Sequence, residues 1–180
     1  MASKLPTVAI IGQANVGKSS LFNRLVRSQQ AIVAREAGTT RDNVIGKVEY
    51  KYHSFWLVDT AGLKDPNDDF EASIQDQITE ASDAADVILV VVDSTQYPSD
   101  QDKIVAKKAL RSKKPVMLIS NKSDLKDSLA DDEFKRLGIK QIISTSAEHN
   151  QNTKQVLDAI ISLIPATNED TPENTLKVSL

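Results

Sequence analysis

A glycine-rich turn set between a short apolar run and an amphipathic helical pattern constrains this chain more than any other feature. Val8-Ala9-Ile10-Ile11 breaks at once into Gly12-Gln13-Ala14-Asn15-Val16-Gly17-Lys18-Ser19, followed by Ser20, and then Leu21, Phe22, Leu25 and Val26 fall on one helical stripe. The string fits G-x-x-x-x-G-K-[ST] in the strand-to-helix context that gives the pattern its meaning. Phosphate oxygens need many donors at short range. Glycines let the backbone curl so that successive N–H groups and the helix N-terminus converge on one anion. Lys18 adds positive charge for the β- and γ-phosphates, and Ser19 offers a hydroxyl to magnesium.

Short β-branched runs alternate with helical patterns along the rest of the chain, which predicts βαβ units around a mostly parallel sheet. Six strands are expected, at Val8 to Ile11, Val44 to Tyr50, Phe55 to Val58, Val87 to Val92, Val116 to Ile119 and Gln141 to Ile143. The second and third are separated only by Lys51-Tyr52-His53-Ser54, too short for a crossover helix, so they read as an antiparallel hairpin at a sheet edge. Further helices are expected at Ile74 to Ser82, Asp100 to Arg111 and Asp131 to Arg136, and along the stripe Val156, Leu157, Ile160, Ile161 and Ile164, which Pro165 ends. The fold class is therefore α/β, a six-stranded, mostly parallel sheet flanked by helices with one antiparallel edge strand. Residues 1–165 form the domain, 166–175 an acidic linker, and 176–180 a strand-like tail.

The phosphate loop does not choose a base, because ATP-using enzymes share it. Asn121-Lys122-Ser123-Asp124 follows the strand Val116 to Ile119 and so sits at the carboxyl edge of the sheet, where open α/β folds bind ligands. Guanine presents N1–H and an exocyclic 2-amino group, and one carboxylate accepts from both; adenine offers neither. Asp124 is thus the candidate guanine selector, Asn121 a tether between base and phosphate loop, and Lys122 a stem that covers the ring. After the last strand, Ser146-Ala147-Glu148 places the Ala147 N–H as a donor for the guanine 6-oxo group.

Asp59-Thr60-Ala61-Gly62 follows the strand Phe55 to Val58, so a carboxylate stands near Ser19 to hold magnesium, and Gly62 lets its N–H approach the γ-phosphate. Upstream, Gly38-Thr39-Thr40-Arg41-Asp42 supplies hydroxyls that close over magnesium from a second switch segment. Thr40 is the candidate ligand, with Thr39 as the alternative. Arg41 reads as a solvated switch-loop charge rather than an internal arginine finger.

Across 180 residues, the net charge of -3 and 40% hydrophobic content favour one domain with a single substantial core, and give no reason to expect DNA as a partner. Cysteine is absent, and the opening apolar run is too short for a signal peptide or a membrane span, so a cytoplasmic protein with no membrane role is expected. His53 and His149 read as surface histidines. The basic run Lys103, Lys107, Lys108, Arg111, Lys113 and Lys114 reads as a solvated helix face.

Taken together, G-x-x-N-V-G-K-S-S-L-F-N-R-L, G-T-T-R-D and D-T-A-G-L resemble the EngA/Der family of translation-factor-related GTPases over about residues 7–165. The resemblance implies a Ras-like G domain that binds GTP and GDP with magnesium, hydrolyses GTP, and acts in assembly of the large ribosomal subunit, meeting the ribosome or its RNA. It also implies a second GTPase domain and a KH-like domain in the parent protein, with Leu176-Lys177-Val178-Ser179-Leu180 as the start of that second domain, cut before its phosphate loop. Gln13-Ala14 departs from the family's usual Arg-Pro. Where Ras-like GTPases carry a water-orienting glutamine this chain has Leu63, which can neither donate nor accept. Relatives with such an apolar residue are implied to use potassium, here held partly by Asn15. The catalytic set expected is Lys18, Thr40, Gly62 and Asn15. Two other readings stay open: a guanine-nucleotide-binding module with negligible turnover, and an ATP-using P-loop enzyme.

Overall fold

The computed structural model describes residues 4–27, 33–35, 44–60, 76, 79 and 83–166. In chain order these form β1 (Thr7–Gly12), α1 (Lys18–Arg27), β2 (Val33–Arg35), β3 (Val44–Tyr50), β4 (His53–Asp59), β5 (Val87–Asp93), α2 (Asp100–Arg111), β6 (Val116–Asn121), a 3-10 helix (Asp131–Leu137), β7 (Ile142–Ser144) and α3 (Thr153–Leu163). The strands make one seven-stranded sheet in the order β2-β3-β4-β1-β5-β6-β7.

Two expectations about the sheet are corrected. All six expected strands form, but β2 is a seventh that three residues are too few to reveal by periodicity. Because β2 pairs with β3, the antiparallel strand is not the edge. β3 is antiparallel to both its neighbours, and the other pairings described are all parallel. The hairpin is also tighter than expected: pairing runs out to Tyr50 opposite His53, leaving the two-residue turn Lys51-Tyr52. Both turn residues have positive φ, 46° and 67°, the left-handed geometry of a hairpin turn whose twist matches its strands. Tyr50 Oη and Lys51 Nζ each donate to Asp158 Oδ1 of α3, at 2.9 and 2.7 Å, tying this end of the hairpin to the helix.

Strand side chains alternate between two cores, which is why both faces of the central strands are apolar. Val8, Ile10, Leu89, Val91, Met117 and Ile119 point to the face covered by α1 and α3, where they meet Leu21, Phe22, Leu25, Val156, Leu157 and Ile160. Ala9, Ile11, Ile88, Val90, Val92 and Leu118 point the other way, onto Val105, Ala106 and Ala109 of α2 and Phe134 and Leu137 of the 3-10 helix. Helix α2 starts at a capping box: the Ser99 hydroxyl accepts from the Asp102 N–H while the Asp102 carboxylate accepts from the Ser99 N–H. Helix α3 stops where Pro165 forces the preceding Ile164 into an extended conformation.

Of the helix expected over 74–82, Asp76 and Thr79 are described, and both are helical. Ala166 apart, the linker and the tail at 176–180 lie outside the described residues, as do Thr39, Thr40, Arg41, Ala61, Gly62 and Leu63. Among the described residues no helix is long and apolar enough to cross a membrane.

Candidate nucleotide site

Because β1, β4, β5, β6 and β7 run parallel, their last residues, Gly12, Asp59, Asp93, Asn121 and Ser144, share one edge of the sheet. All the described candidate residues stand on that edge, in the loops leaving it or in the first turn of α1.

The phosphate loop is held by backbone as much as by side chains. Gly12 packs so closely on β5 that an added Cβ would lie 2.4 Å from the Val91 carbonyl oxygen. Gly17 adopts φ +96°, and a Cβ there would lie 2.2 Å from Asn121 Nδ2. Asn15 takes the left-handed conformation at φ 66°. Lys18 opens α1 with only 6% of its surface exposed, and its ammonium donates to the carbonyls of Gly12, at 2.8 Å, and Gln13. These carbonyls solvate a buried charge that would otherwise be costly, and they keep the ammonium inside the loop. Val16 is buried, while Ala14, Asn15, Ser19 and Ser20 face solvent.

Ser19 and Asp59, forty residues apart, meet directly: Ser19 Oγ donates to Asp59 Oδ2 at 2.9 Å. The Asp59 carboxylate, on a residue 4% exposed, lies at the mouth of the phosphate loop. The Thr60 hydroxyl donates to the Ile10 carbonyl at 2.6 Å and anchors the end of β4 to β1. Among the described residues no group of three or more His, Asp or Glu side chains could hold a metal. A hydroxyl and a carboxylate side by side instead suit a magnesium ion that draws its remaining ligands from phosphate and water.

Asn121, buried at the end of β6, joins three segments. Its Nδ2 donates to the Val16 carbonyl of the phosphate loop at 3.0 Å, and its Oδ1 accepts from the Ala147 N–H at 3.0 Å and the Thr145 hydroxyl at 3.3 Å. The Ala147 N–H, expected to face a purine oxygen, is therefore engaged by Asn121, and a purine contact requires it to be shared or released. Lys122, at φ 67°, stretches back over the phosphate loop so that its ammonium reaches the Asn15 carbonyl at 2.8 Å and Asp93 Oδ2 at 2.6 Å.

Asp93 is a site residue that sequence reasoning missed, although a carboxylate ending an apolar strand was a readable signal. Burial pushes its carboxyl up, but the Lys122 ammonium and the Thr95 hydroxyl and N–H together outweigh that and hold it below its ordinary value. Gln13 was also missed as a structural contact: its Nε2 donates to Ser99 Oγ and Asp102 Oδ1, both at 2.7 Å, latching the phosphate loop to the start of α2.

Asp124 stands in the loop after β6 with its side chain 15% exposed. The Ser146 hydroxyl, above all, holds its carboxyl below the usual carboxylate range against some desolvation, helped by Asp124's own N–H and by His149. His149 Nε2 lies 3.3 Å from Asp124 Oδ2, so this histidine, expected as a bystander, borders the candidate base selector. Ser146 is buried, and Glu148 is exposed beside it.

The family described as 50S ribosome-binding GTPase matches residues 7–122. Among curated relatives, GTPase Der of Natranaerobius thermophilus is 44% identical over 159 residues, 88% of this chain and 36% of that protein. GTPase Der of Porphyromonas gingivalis is 43% identical over 163 residues, 89% of this chain and 37% of that protein. The chain thus spans little more than a third of the length of these relatives. Among solved structures, an Era variant from Aquifex aeolicus bound to GDP and AlF4- superposes with a TM-score of 0.72 at 27% identity, covering 94% of this chain and 61% of that one. The G domain of the T. maritima FeoB iron transporter gives 0.67 at 25% identity, with 89% and 99% covered. With the matched residues running from the first strand of the sheet through the phosphate loop to Lys122, the chain belongs to the 50S ribosome-binding GTPase family.

Proposed function

We propose that this domain is a guanine-nucleotide switch that binds GTP and GDP with magnesium, hydrolyses GTP, and serves assembly of the large ribosomal subunit in the cytoplasm. Asn121 carries the reading. One buried amide bonds both the phosphate loop, at Val16, and the base loop, at Ala147, so the distance between the two is set by a side chain that touches each. Asp124, ionised and facing Ser146, then accepts from guanine N1–H and the 2-amino group. The phosphate loop N–H groups and Lys18 take the phosphates, which requires the ammonium to trade the Gly12 and Gln13 carbonyls for phosphate oxygens.

Ser19, directly, and Asp59, through water, would hold magnesium, with Thr40 or Thr39 as a further ligand from the switch segment; the contact of Ser19 with Asp59 supports this pairing. When bound, the ion neutralises charge on the β- and γ-phosphates. Gly62 supplies an N–H to the γ-phosphate. Leu63 cannot orient water, so intrinsic turnover is slow, and Asn15 would hold a potassium ion that would supply the missing positive charge. The ribosomal role rests on the family and on the relatives named GTPase Der; a second G domain and a KH-like domain would accompany this one in the longer protein.

The test is phosphate release from GTP and from ATP in potassium and in sodium. GTP alone is expected to turn over, faster in potassium, with Asn15→Ala removing the difference. Equal rates in the two salts would remove the potassium role. Tight GTP binding with no release in either salt would favour a binding module without turnover, the reading that Leu63 invites.

A further inference from the structure

Arg24 sits on α1, six residues after Lys18, and its guanidinium reaches across to the loop after β7. Its Nε donates to the Ala147 carbonyl at 2.8 Å and its Nη2 to the Glu148 carbonyl at 2.6 Å. A planar guanidinium fork is suited to gripping two neighbouring acceptors, and its bonds are charge-assisted. A trans peptide carries C=O and N–H on opposite sides of its plane. Turning the Glu148 carbonyl toward α1 therefore turns the His149 N–H the other way, where it donates to Ser146 Oγ at 3.2 Å. The Ser146 hydroxyl is in turn the main influence that holds the Asp124 carboxyl below its ordinary value. Ala147 is held through both its backbone groups, its N–H by Asn121 and its carbonyl by Arg24.

We propose that Arg24 is a positioning residue for base recognition: by fixing the Ala147 and Glu148 carbonyls, it aims the Ser146 hydroxyl at Asp124 and locks the purine loop to the helix that begins at the phosphate loop. The proposal deepens, and rests on, the guanine reading of Asp124. Arg24 touches no nucleotide in this account, so its effect is on which base is preferred.

The experiment compares GDP, IDP and ADP binding by calorimetry in the wild-type chain and in Arg24→Met, which keeps the stem and removes the guanidinium. IDP lacks the 2-amino group, so the GDP-to-IDP ratio reads how well Asp124 is aimed. In Arg24→Met, GDP is expected to weaken about tenfold and IDP by less, so that the ratio shrinks. A GDP-to-IDP ratio unchanged from wild type would overturn the proposal, however much both affinities fell. Wild-type chain that binds ADP as tightly as GDP would instead sink the guanine reading beneath it. Should Arg24→Met fail to fold, Arg24→Lys, which keeps the charge but loses the paired geometry, carries the same comparison.

Discussion

Gly17→Ala tests how tightly the phosphate loop is built against β6. Two costs are separable. A methyl-bearing residue at φ +96° is strained by about 1–2 kcal/mol. The new Cβ would also lie 2.2 Å from Asn121 Nδ2, so the amide must move and give up its 3.0 Å bond to the Val16 carbonyl. Asn121 is 3% exposed, and leaving a buried amide unsatisfied costs about 1–3 kcal/mol. The total is roughly 2–5 kcal/mol, a large part of the stability of an ordinary domain. Gly138→Ala is the control: it shares the positive φ, at +80°, but its Cβ would meet only Leu110 Cδ1 at 3.5 Å, an ordinary contact. Urea unfolding of both variants followed by circular dichroism should give Gly138→Ala the strain alone and Gly17→Ala an additional loss of about 1–3 kcal/mol, roughly a molar in midpoint. Equal losses in the two variants would refute the packing argument.

Ser19→Ala should weaken GDP binding about tenfold with magnesium present and not at all in excess chelator; an equal loss in both conditions would separate Ser19 from the ion. Gln13→Leu removes the two 2.7 Å bonds to Ser99 and Asp102 at little change in size. It should cost about 1 kcal/mol in urea unfolding and show coupling to Asp102→Asn in a double-mutant cycle, whereas additive losses would dissolve the latch. Asp124 must be ionised to accept two guanine protons, and its carboxyl is held low by Ser146, so GDP affinity in the wild type should stay level through the usual carboxylate range. It should be lost only as pH falls through the depressed value. Ser146→Ala should move that acid limb to higher pH, and a limb left in place would remove Ser146 from the account.

Much of this site was legible because the chemistry forces short strings. A phosphate loop, a carboxylate at a strand end and Asn121 through Asp124 each sit next to an apolar run, and parallel pairing of those runs brings them to one edge. What stayed hidden is mostly tertiary. Gln13 meets Ser99 across 86 positions and Arg24 meets Glu148 across 124, and no local pattern announces such pairs. The commitment of the Ala147 N–H to Asn121 depends on the same long-range geometry. Other misses were local. β2 is three residues long, below what period-two alternation can mark, and the Lys51-Tyr52 turn lacks the glycine or asparagine that usually signals a two-residue hairpin. His149 looked like a surface histidine and is one, 58% exposed, yet it borders Asp124.

Competition binding of GDP against ADP, repeated with Asp124→Asn and xanthosine diphosphate, tests the central assignment most directly. A buried site built to hydrogen-bond one base rejects an analogue that leaves its groups unpaired by factors on the order of ten-thousandfold. GDP should therefore exceed ADP by a margin of that order, and Asp124→Asn should shift preference toward the xanthine nucleotide. Comparable affinities for GDP and ADP in the unmodified chain would contradict the assignment of Asp124 as the residue that chooses the base.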